Sequence, residues 1–477
     1  MTQLYKNFID GAFAADATGL VDVFNPATGA LLAQVPDSDE SIVARAVEAA
    51  RRAQPSWGRL APIERAGYLR KISAKVRERR TELAKIIVAE QGKTQQLAQV
   101  EVDFTADYID YMAEWARRLE GEVLTSDRSN ENIFLFRKPI GVVAGILPWN
   151  FPFFLIARKL APALITGNTI VIKPSEETPI NAFEFAKLVA GTDLPKGVFN
   201  LVGGRGRSTG EALCANPNVD LITFTGSVAT GSRIMQTAGR NLTRVNLELG
   251  GKAPAIVLAD ADLDLAAKAI YDSRVINTGQ VCNCAERVYV ERGAHEALVD
   301  RLAQHFKATR YGDPSVRDDL HMGPLVNQIG LDKVSALVEQ AKRDGATIIT
   351  GGKRADLEGF HYEPTLIVDA RADMDIMRKE IFGPVLPIQV VEDLDEAIAL
   401  SNDSEYGLTS SIFTSNINSA IHAARELNFG ETYINREHFE AMQGFHAGRR
   451  KSGIGGADGK HGLYEFTETH VVYLQTP

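Results

Sequence analysis

The chain has 477 residues, 45% of them hydrophobic and 24% charged, which is typical of a globular protein of two or three domains. Its formal net charge of −9, with no block of basic residues, argues against nucleic acid as a main partner. No segment approaches the ~20 continuous apolar residues that cross a bilayer. The first residues lack the apolar core of a signal peptide, so we expect no membrane partner.

Cysteine usage favours a reducing compartment. The chain has three cysteines, Cys214, Cys282 and Cys284. An odd, small number fits thiol chemistry better than a disulfide framework. The pair Cys282 and Cys284 also lacks the further cysteines or histidines of a zinc site. We therefore predict a cytoplasmic protein without a metal centre.

The first quarter of the chain is predicted to be mainly helical. Apolar residues recur at three- and four-residue spacing from residue 40 to 91, with an interruption at Pro62, and again from 95 to 118. After a polar stretch, the segment Ile133–Arg137 predicts a strand that is exposed or paired.

Short apolar strands then alternate with helices. The predicted strands are 142–147, 169–173, 198–202 and 221–225. Near-continuous apolar strands in this rhythm predict a parallel, doubly wound sheet. Such sheets bind ligands beyond the carboxyl ends of their strands, which is where Asn150, Lys173 and Gly226 fall.

A second α/β unit is predicted from Ala255–Leu258 to about residue 450, which makes the chain an α/β protein. The segment His470–Leu474 is an apolar strand near the end of the sequence. Left alone it would present an unprotected edge, so we expect it to pair with another subunit.

Two segments supply candidate catalytic groups. Cys282 follows Asn-Thr-Gly-Gln-Val, and Glu248 lies 34 residues earlier in Leu-Glu-Leu-Gly-Gly-Lys. A thiolate can attack a carbonyl carbon, and a carboxylate can activate the water that hydrolyses the resulting thioester. The alternatives are a small buried hydrophobe for Cys282 and a surface carboxylate for Glu248. Apolar neighbours predict partial burial of Glu248, which would raise its pKa.

Polar residues end the first two predicted βα strands. Asn150, between two prolines, could donate to an oxyanion or could cap a helix. Lys173 and Glu176 could bind a ribose or could form a solvated pair on a turn. A carboxylate at the place of Glu176 would repel a 2′-phosphate, which favours NAD over NADP.

A glycine-containing turn opens a later helix. Phe224–Gly231 follows a strand, and its backbone amides suit a pyrophosphate. The only approach to G-x-G-x-x-G is Gly204, Gly206 and Gly210, whose spacing is wrong by one. The segment Glu380–Val385 by itself predicts only a turn.

In order, these segments resemble the aldehyde dehydrogenase superfamily, and the resemblance extends from Phe8 to the C-terminus. They are Pro148–Pro152, Lys173–Glu176, Phe224–Ser227, Leu247–Lys252, Gly279–Cys282 and Glu380–Pro384.

The resemblance implies three structural units. A Rossmann-type cofactor domain would comprise residues 1–120 and 140–250, and an α/β catalytic domain would comprise 251–460. A small β oligomerisation flap would comprise 121–139 and 461–477. A homo-oligomer is implied, and a tetramer is favoured over a dimer.

The resemblance also implies roles. Cys282 would be the nucleophile, Asn150 and the Cys282 backbone amide the oxyanion hole, and Glu248 the general base. NAD would be the cofactor. Its expected contacts are Trp149, Lys173, Ser175, Glu176, Gly206, Gly226, Ser227, Gly231, Leu249, Glu380 and Phe382.

The substrate wall is predicted to be polar. Positions that are aromatic in acetaldehyde-type members correspond to Arg158, Glu440 and His446, with Asn283 beside the nucleophile and Phe151 limiting the space. Phe445 is expected to narrow the space as well. Because an unpaired polar group against a hydrocarbon chain costs about 1–3 kcal/mol, a small hydroxylated aldehyde is the expected substrate.

Several alternatives stay open. Arg158 could simply pair with Glu440, or it could clamp the carboxylate of a semialdehyde. Acyl transfer to coenzyme A is a further possibility, although Glu248 favours water as acceptor. A non-catalytic protein on the same fold would have lost its nucleophile. The chain departs from the family where many members carry a second glutamate, since Lys460 stands there.

Overall fold

The computed structural model describes residues 2–477 and contains fifteen α-helices and twenty-one strands in that range. The helices are α1 Glu40–Arg59, α2 Pro62–Glu78, α3 Arg80–Gln91, α4 Gln95–Glu114, α5 Phe154–Ile165, α6 Ile180–Ala190, α7 Glu211–Ala215, α8 Val228–Ala238, α9 Leu263–Val275, α10 His295–Lys307, α11 Gln328–Arg343, α12 Asp375–Arg378, α13 Leu394–Asn402, α14 Ile417–Glu426 and α15 Gly459–Tyr464. The strands are β1 Gln3–Leu4, β2 Asn7–Ile9, β3 Ala12–Ala14, β4 Gly19–Phe24, β5 Leu31–Asp37, β6 Glu122–Thr125, β7 Glu131–Pro139, β8 Val142–Ile146, β9 Thr169–Lys173, β10 Phe199–Leu201, β11 Leu221–Thr225, β12 Arg244–Glu248, β13 Ala253–Val257, β14 Ala285–Glu291, β15 Thr347–Thr350, β16 Thr365–Val368, β17 Val385–Val391, β18 Thr409–Phe413, β19 Glu431–Ile434, β20 Gly453–Ile454 and β21 Thr467–Gln475.

Local signals explain the first helices. The Asp39 side chain accepts a hydrogen bond from the Ile42 amide (3.0 Å) and caps α1. Pro62 occupies the first turn of α2, where its missing N–H costs nothing, so the predicted interruption is a helix start. The predicted helix 95–118 ends at Glu114 and continues as a 3₁₀ turn.

An eight-stranded sheet forms the first large layer, in the order β20-β12-β11-β8-β9-β10-β2-β3. Its five central strands, β12 to β10, are parallel, as predicted. Strands β8, β9 and β11 are buried along their whole length, which explains their continuous apolar sequences.

A second sheet has seven strands in the order β15-β16-β17-β14-β13-β18-β19. Only β15 is antiparallel to its neighbour. This is the predicted second α/β unit. Its strands begin immediately after β12 of the first sheet, so the chain passes from one sheet to the other within four residues, Leu249 to Lys252.

The remaining strands form two small sheets. The order β1-β5-β4 near the N-terminus was not predicted from the sequence. The other sheet has the order β21-β7-β6, in which β21 pairs antiparallel with β7 from Thr467 opposite Pro139 to Gln475 opposite Glu131. One edge of the C-terminal strand is therefore covered by its own chain, and within the described residues the other edge is open.

The two large sheets bring the predicted site residues together. Strands β8, β9, β11 and β12 are parallel, so Asn150, Lys173, Gly226 and Glu248 follow or end neighbouring strands at one edge. Cys282 lies in the turn before β14 of the other sheet. Among residues 2–477, no helix has the length and apolar character needed to cross a membrane.

Candidate active site

An unusual backbone leads to Cys282. Asn277, Thr278 and Gly279 all have positive φ (48°, 59° and 73°), a conformation that costs a side-chain-bearing residue of order 1 kcal/mol or more. At Gly279 a Cβ atom would collide with the carbonyl oxygen of Gly383, so only glycine fits. The chain thus turns sharply just before Cys282.

Gln280 stabilises this turn. Its side chain is buried. Burial is tolerated because its amide is fully bonded: Nε2 donates to the carbonyls of Asn277 (3.1 Å) and Pro324 (3.3 Å), and Oε1 accepts from the Val326 amide (2.9 Å).

The two neighbouring cysteines have different environments. Cys282 is partly exposed and lines the main cavity, whereas Cys284 is buried and its thiol donates to the Val281 carbonyl (2.9 Å). Burial raises the pKa of Cys284 to about 12, which keeps it a thiol. Cys282 is therefore the thiol that a ligand in the cavity can reach.

Asn150 is held against the turn that precedes Cys282. Its Nδ2 donates to the Gln280 carbonyl (3.1 Å), and its own carbonyl accepts from Lys93 (2.8 Å) and Asn277 (2.9 Å). An amide Nδ2 carries two protons, so one remains for a second acceptor. The Cys282 backbone N–H has no acceptor among the described residues. Both donors are suitable for an oxyanion.

Glu248 ends β12 and is buried, and its environment differs from the sequence prediction. Burial alone would raise its pKa, but Lys159, Arg158 and His446 outweigh this effect and lower the pKa to about 2. The Lys159 ammonium lies 3.3 Å from Oε2, which also accepts from Thr225 (2.7 Å). The expected raised pKa is therefore wrong, because the sequence did not reveal the cations.

Oε1 of Glu248 is buried without a hydrogen-bond partner, and the side chain does not line the main cavity. This oxygen is the part of the carboxylate that remains available to accept a proton.

A cavity of about 390 Å³ contains the candidate residues from both sheets. Its lining includes eight predicted cofactor or catalytic residues, namely Trp149, Asn150, Gly226, Ser227, Leu249, Cys282, Glu380 and Phe382. It also includes four of the five predicted substrate residues, namely Phe151, Arg158, Asn283 and Glu440.

The other predicted cofactor residues lie near the carboxyl end of β9. The Lys173 ammonium, on a buried side chain, pairs with Glu176 (3.1 Å), whose second oxygen accepts from the Gly206 amide (3.1 Å). Burial raises the pKa of Glu176, but Lys173 and the backbone amides lower it further, so the carboxylate is charged. Ser175 is buried and accepts from the Glu177 amide (3.3 Å).

The helix start at Ser227 is preformed. Ser227 caps α8 by accepting from the Thr230 amide (3.3 Å). Gly231 is buried, and a Cβ there would lie 2.6 Å from Leu249, so glycine lets α8 approach the strand-end segment. The exposed N-terminus of an eleven-residue helix suits an anionic group.

Glu380 and Phe382 are held by a buried ionic network that the sequence did not reveal. Glu286 accepts from the amides of Ile381 (2.8 Å) and Phe382 (3.0 Å). It also pairs with two buried cations, Lys252 and Arg274, both at 2.9 Å. The 381–382 backbone is thereby fixed against β14.

The loop so fixed presents two groups to the cavity. The Phe382 ring meets the Trp149 ring edge-on at 5.4 Å. The Glu380 carboxylate accepts from Gly251 (2.9 Å), and burial raises its pKa. At Gly250 a Cβ atom would lie 2.5 Å from that carboxylate, so a larger residue at this position would collide with Glu380.

Along the substrate wall, polar side chains form a continuous chain. Arg158, which is buried, makes two bonds to Asp458, one of them 3.0 Å from Nε to Oδ1, and one to Glu440 (3.1 Å). Asn283 Nδ2 donates to the other oxygen of Glu440. The alternative that Arg158 pairs with Glu440 is therefore correct in part, and Asp458 is the partner that sequence reasoning missed.

Aromatic rings form the rest of the wall. Phe151 lines the cavity beneath the Lys93 ammonium (3.5 Å from the ring centre). Three rings that were not predicted, Phe104, Phe154 and Phe439, also line it, and the Phe104 ring packs against each of the other two. The expectation for Phe445 is wrong, because its ring packs on His461 and lines a different cavity.

Two predicted positions lie elsewhere. His446 is not among the residues lining the main cavity, and its Nδ1 lies 2.5 Å from the Glu431 carboxylate. Lys460 is on the surface and pairs with Glu120 (2.6 Å). The His446 side chain therefore lies outside the predicted substrate wall, and Lys460 is remote from the main cavity.

Comparison with known proteins accounts for this arrangement. The aldehyde dehydrogenase family matches residues 13–472. The chain belongs to this family. Lactaldehyde dehydrogenase of Escherichia coli (strain K12) is 59% identical over 470 residues, which cover 98% of each chain. The 3,6-anhydro-alpha-L-galactose dehydrogenase of Vibrio sp. (strain EJY3) is 41% identical over 98% of this chain and 99% of that protein. The structure also matches a crystal structure of the Escherichia coli lactaldehyde dehydrogenase, with a TM-score of 0.99, 59% identity and 100% of both chains covered.

Some residues at this aldehyde dehydrogenase site were missed for identifiable reasons. Asp458 lies in Gly-Gly-Ala-Asp-Gly, and a carboxylate among small residues was the available signal. Lys159 stands next to Arg158 in an otherwise apolar helix, which predicts paired rather than solvated cations. Phe104 and Phe439 carried no such signal, because single aromatic residues occur in every core.

Proposed function

We propose that the protein oxidises a small hydroxylated aldehyde, lactaldehyde or glycolaldehyde, to its carboxylic acid with NAD, through a thioester on Cys282. The observation that carries the substrate class is the polar chain Asn283–Glu440–Arg158 beside the nucleophile. The 59% identity to lactaldehyde dehydrogenase of Escherichia coli supports the same substrate.

The first step is attack of the Cys282 sulfur on the aldehyde carbon. A carbon–sulfur bond forms, and the carbonyl electron pair moves onto oxygen. Asn150 Nδ2 and the Cys282 N–H then stabilise this oxyanion, typically by about 3–4 kcal/mol for each donor. Both groups are positioned before the aldehyde binds, so little reorganisation is needed.

The predicted cofactor residues near the ends of β9, β11 and β12 and in the Glu380–Phe382 loop are suited to binding NAD. A charged Glu176 beside Lys173 suits the adenosine ribose. The exposed N-terminus of α8 at Ser227 suits the pyrophosphate. The absence of a side chain at Gly250 leaves room for the Glu380 carboxylate, which is suited to the second ribose. When bound, NAD accepts the hydride that converts the thiohemiacetal to a thioester. Glu176 would repel a 2′-phosphate, which favours NAD over NADP.

Water then cleaves the thioester. Glu248 is proposed to accept the proton of this water through its unpartnered Oε1. Its low pKa makes it a weak base while Lys159 holds Oε2, so proton transfer is expected to require a looser contact with Lys159. Retention of this carboxylate favours water over coenzyme A as the acyl acceptor.

The polar wall discriminates between substrate classes. Glu440 has an 18% exposed side chain and can accept from a substrate hydroxyl, whereas an apolar chain would leave it unsatisfied. Arg158 already makes two bonds to Asp458 and one to Glu440, and a semialdehyde carboxylate would meet both of these anions. A hydroxyaldehyde therefore fits better than succinate semialdehyde.

We also propose a function for each of the three structural units. Residues 1–120 and 140–250 bind NAD, 251–460 supply the nucleophile and substrate wall, and 121–139 with 461–477 join subunits, in a cytoplasmic tetramer rather than a dimer. The open edge of β21 supports the last assignment. Multi-angle light scattering would contradict it by showing a monomer.

Initial rates of NADH formation with a panel of aldehydes test the substrate. We expect kcat/KM for lactaldehyde and glycolaldehyde to exceed those for propanal, acetaldehyde and succinate semialdehyde. A higher kcat/KM for succinate semialdehyde would indicate that Arg158 binds a substrate carboxylate. A higher kcat/KM for propanal would show that the hydrogen-bonded side chains Asn283, Glu440 and Arg158 do not select the substrate.

A further inference from the structure

A buried arginine holds both ends of the segment that carries Cys282. The Arg274 side chain, in the last turn of α9, is fully buried. Its Nη2 donates to the Gly279 carbonyl and its Nη1 to the Ala285 carbonyl (2.9 Å). Cys282 lies midway between these two carbonyls in the sequence. One planar guanidinium therefore fixes the cysteine loop (residues 279–285) at both ends.

The same guanidinium is bonded to the network that holds the cofactor loop (residues 380–382). Arg274 Nη1 lies 2.9 Å from Oε1 of Glu286, whose side chain is 1% exposed. Glu286 Oε1 accepts from the Phe382 amide (3.0 Å), and Oε2 accepts from the Ile381 amide (2.8 Å). Within the described residues, Arg274 itself makes no hydrogen bond to this loop. Glu286 therefore connects the arginine to the cofactor loop.

The surrounding backbone also packs closely around both loops. At Gly279 a Cβ would collide with the Gly383 carbonyl oxygen, and at Gly251 a Cβ would lie 2.5 Å from the Cys282 carbonyl oxygen. The Gly251 amide in turn donates to the Glu380 carboxylate (2.9 Å). Because packing at this density leaves no free space, a displacement of one loop is transmitted to the other.

We propose that Arg274 and Glu286 are positioning residues for hydride transfer, because together they fix Cys282 relative to the cofactor loop. The inference rests on Cys282 as the nucleophile of the proposed function. In this step the oxyanion electron pair of the thiohemiacetal re-forms the carbonyl, and the hydrogen on that carbon leaves with its two bonding electrons. The thiohemiacetal is thereby oxidised to the thioester, and NAD⁺ is reduced to NADH.

Hydride transfer is sensitive to such positioning. Reacting atoms must approach to about 3–3.5 Å, and a misplacement of about 1 Å can cost roughly a hundredfold in rate. The donor carbon is attached to Cys282, whereas Glu380 and Phe382 are expected to contact the nicotinamide ribose and ring. The distance between donor and acceptor therefore depends on how the cysteine loop and the cofactor loop are held.

The charges of the network keep this connection intact at neutral pH. Burial raises the pKa of Glu286, but Lys252 and Arg274 outweigh this effect and lower the pKa to about 2. The ionised carboxylate can thus accept from both loop amides while it pairs with both cations. A change at Arg274 or Glu286 leaves a buried charged group with fewer partners, so both loops should loosen.

The first test is amide hydrogen exchange of the free, full-length enzyme, followed by mass spectrometry of its peptides. Arg274→Lys keeps the charge but loses the planar fork. It should speed exchange of the Ile381 and Phe382 amides by about tenfold, although residue 274 does not bond to them. Glu286→Gln should likewise speed exchange of the Gln280 amide, which donates to the Asn277 carbonyl (3.1 Å). Unchanged exchange at these amides in the folded variants overturns the proposal.

Two substitutions outside the network serve as matched controls. Arg65→Lys changes another buried arginine that donates to backbone carbonyls, among them that of Ile165 (3.0 Å). Glu291→Gln changes a carboxylate at the end of β14 that accepts from the Ala259 amide (2.7 Å). Neither control should alter exchange in either loop.

If neither Arg274→Lys nor Glu286→Gln folds, hydrogen exchange of the unaltered enzyme in low concentrations of urea decides. Loops that are coupled open together and lose protection at the same urea concentration. Loss of protection at different urea concentrations in the cysteine loop and the cofactor loop overturns the proposal.

The second test measures hydride transfer itself, with lactaldehyde and with lactaldehyde deuterated at its aldehyde carbon. Arg274→Lys and Glu286→Gln should lower the rate constant of NADH formation in the first turnover by about tenfold, with a clear isotope effect. Neither quantity depends on the fraction of enzyme that is folded, so the readout separates positioning from stability. An unchanged rate constant overturns the role in hydride transfer. A slowed first turnover without an isotope effect places the defect before hydride transfer and overturns it too.

The outcome is separable from that of the proposed function. Hydrogen exchange is measured without NAD or aldehyde, so a different substrate cannot change it. If lactaldehyde is oxidised poorly, the deuterated form of the best aldehyde in the panel replaces it in the second test. Full activity of Cys282→Ala would reject the proposed function whatever the exchange rates of the two loops. Efficient lactaldehyde oxidation with unshifted exchange would retain the function and reject the coupling.

Discussion

The cofactor side and the substrate side of the cavity are built in different ways. On the cofactor side, the ion pair of Lys173 with Glu176 and the cap of Ser227 on Thr230 each join residues three positions apart. On the substrate side, Arg158 contacts residues 282 and 300 positions away. The Lys173 and Ser227 parts of the cofactor side are therefore properties of short segments. The substrate side, like the Glu380–Phe382 loop held by Glu286, is a property of the fold.

This difference determines what a mutation reveals. A change on the cofactor side should alter one contact with a bound group, because few distant residues depend on it. A change on the substrate side removes one member of a buried network, so its partners are left with unpaired hydrogen-bonding or charged groups as well. Substitutions in the two regions distinguish these cases, and the largest loss of activity is expected at Cys282.

Cys282→Ala is expected to reduce NADH formation to background, because no other thiol reaches the cavity. Cys284→Ala, two positions away, should retain most of the activity, since its sulfur is buried and stays protonated. Steady-state kinetics with lactaldehyde measure both. Equal losses in the two variants would contradict the assignment of the nucleophile.

Glu248→Gln should slow hydrolysis by about a hundredfold, because the water loses its base. Acylation should be affected less, so stopped-flow absorbance should show a burst of NADH followed by a weak steady rate. Glu465→Gln changes a partly buried carboxylate outside the main cavity and serves as a control. A first turnover slowed as much as later ones would assign Glu248 to acylation.

Glu440→Gln should lower kcat/KM for lactaldehyde relative to propanal by roughly tenfold, or about 1.4 kcal/mol. The amide is a weaker acceptor for the substrate hydroxyl and no longer balances Arg158. Glu437→Gln, whose carboxylate pairs with Arg436 near the surface, is the matched control. An unchanged ratio of the two kcat/KM values would show that Glu440 does not contribute to substrate selection.

Glu176→Gln should have the smallest effect, raising the NADP-to-NAD ratio of kcat/KM by several-fold because the repulsion of a 2′-phosphate is removed. Activity with NAD should fall only slightly. The exposed Glu211→Gln should leave the ratio unchanged. Preference for NADP in the unaltered enzyme would reject the interpretation of Glu176.

The sequence predicted much of the fold because its signals are local. The strands 169–173 and 221–225 have the predicted bounds, since buried parallel strands are continuous apolar runs. The small sheet β1-β5-β4 was missed because its two longer strands mix exposed with buried residues and are not buried along their whole length. Pairing between such strands depends on what packs beneath them.

Burial and charge were harder to predict. Partial burial of Glu248 was inferred correctly from its apolar neighbours, but the direction of its pKa shift was wrong, because Lys159 comes from another element. His446 was predicted to contact the substrate, but its contact with Glu431 appears only in the folded chain.

The sequence by itself determined the α/β fold, the candidate thiol and carboxylate, and the segments Lys173–Glu176 and Phe224–Gly231 as suited to a nucleotide, because each depends on periodicity or on near neighbours, whereas Glu380 and Phe382 were expected only from the family resemblance. Only the tertiary structure decided which ion pairs form, namely Arg158 with Asp458 and Lys159 with Glu248. It also decided that aromatic rings from α4, α5 and the loop after β19 line the cavity. These are contacts between residues far apart in the chain, and their energies depend on distance and burial. Neither quantity exists until the two sheets have packed together.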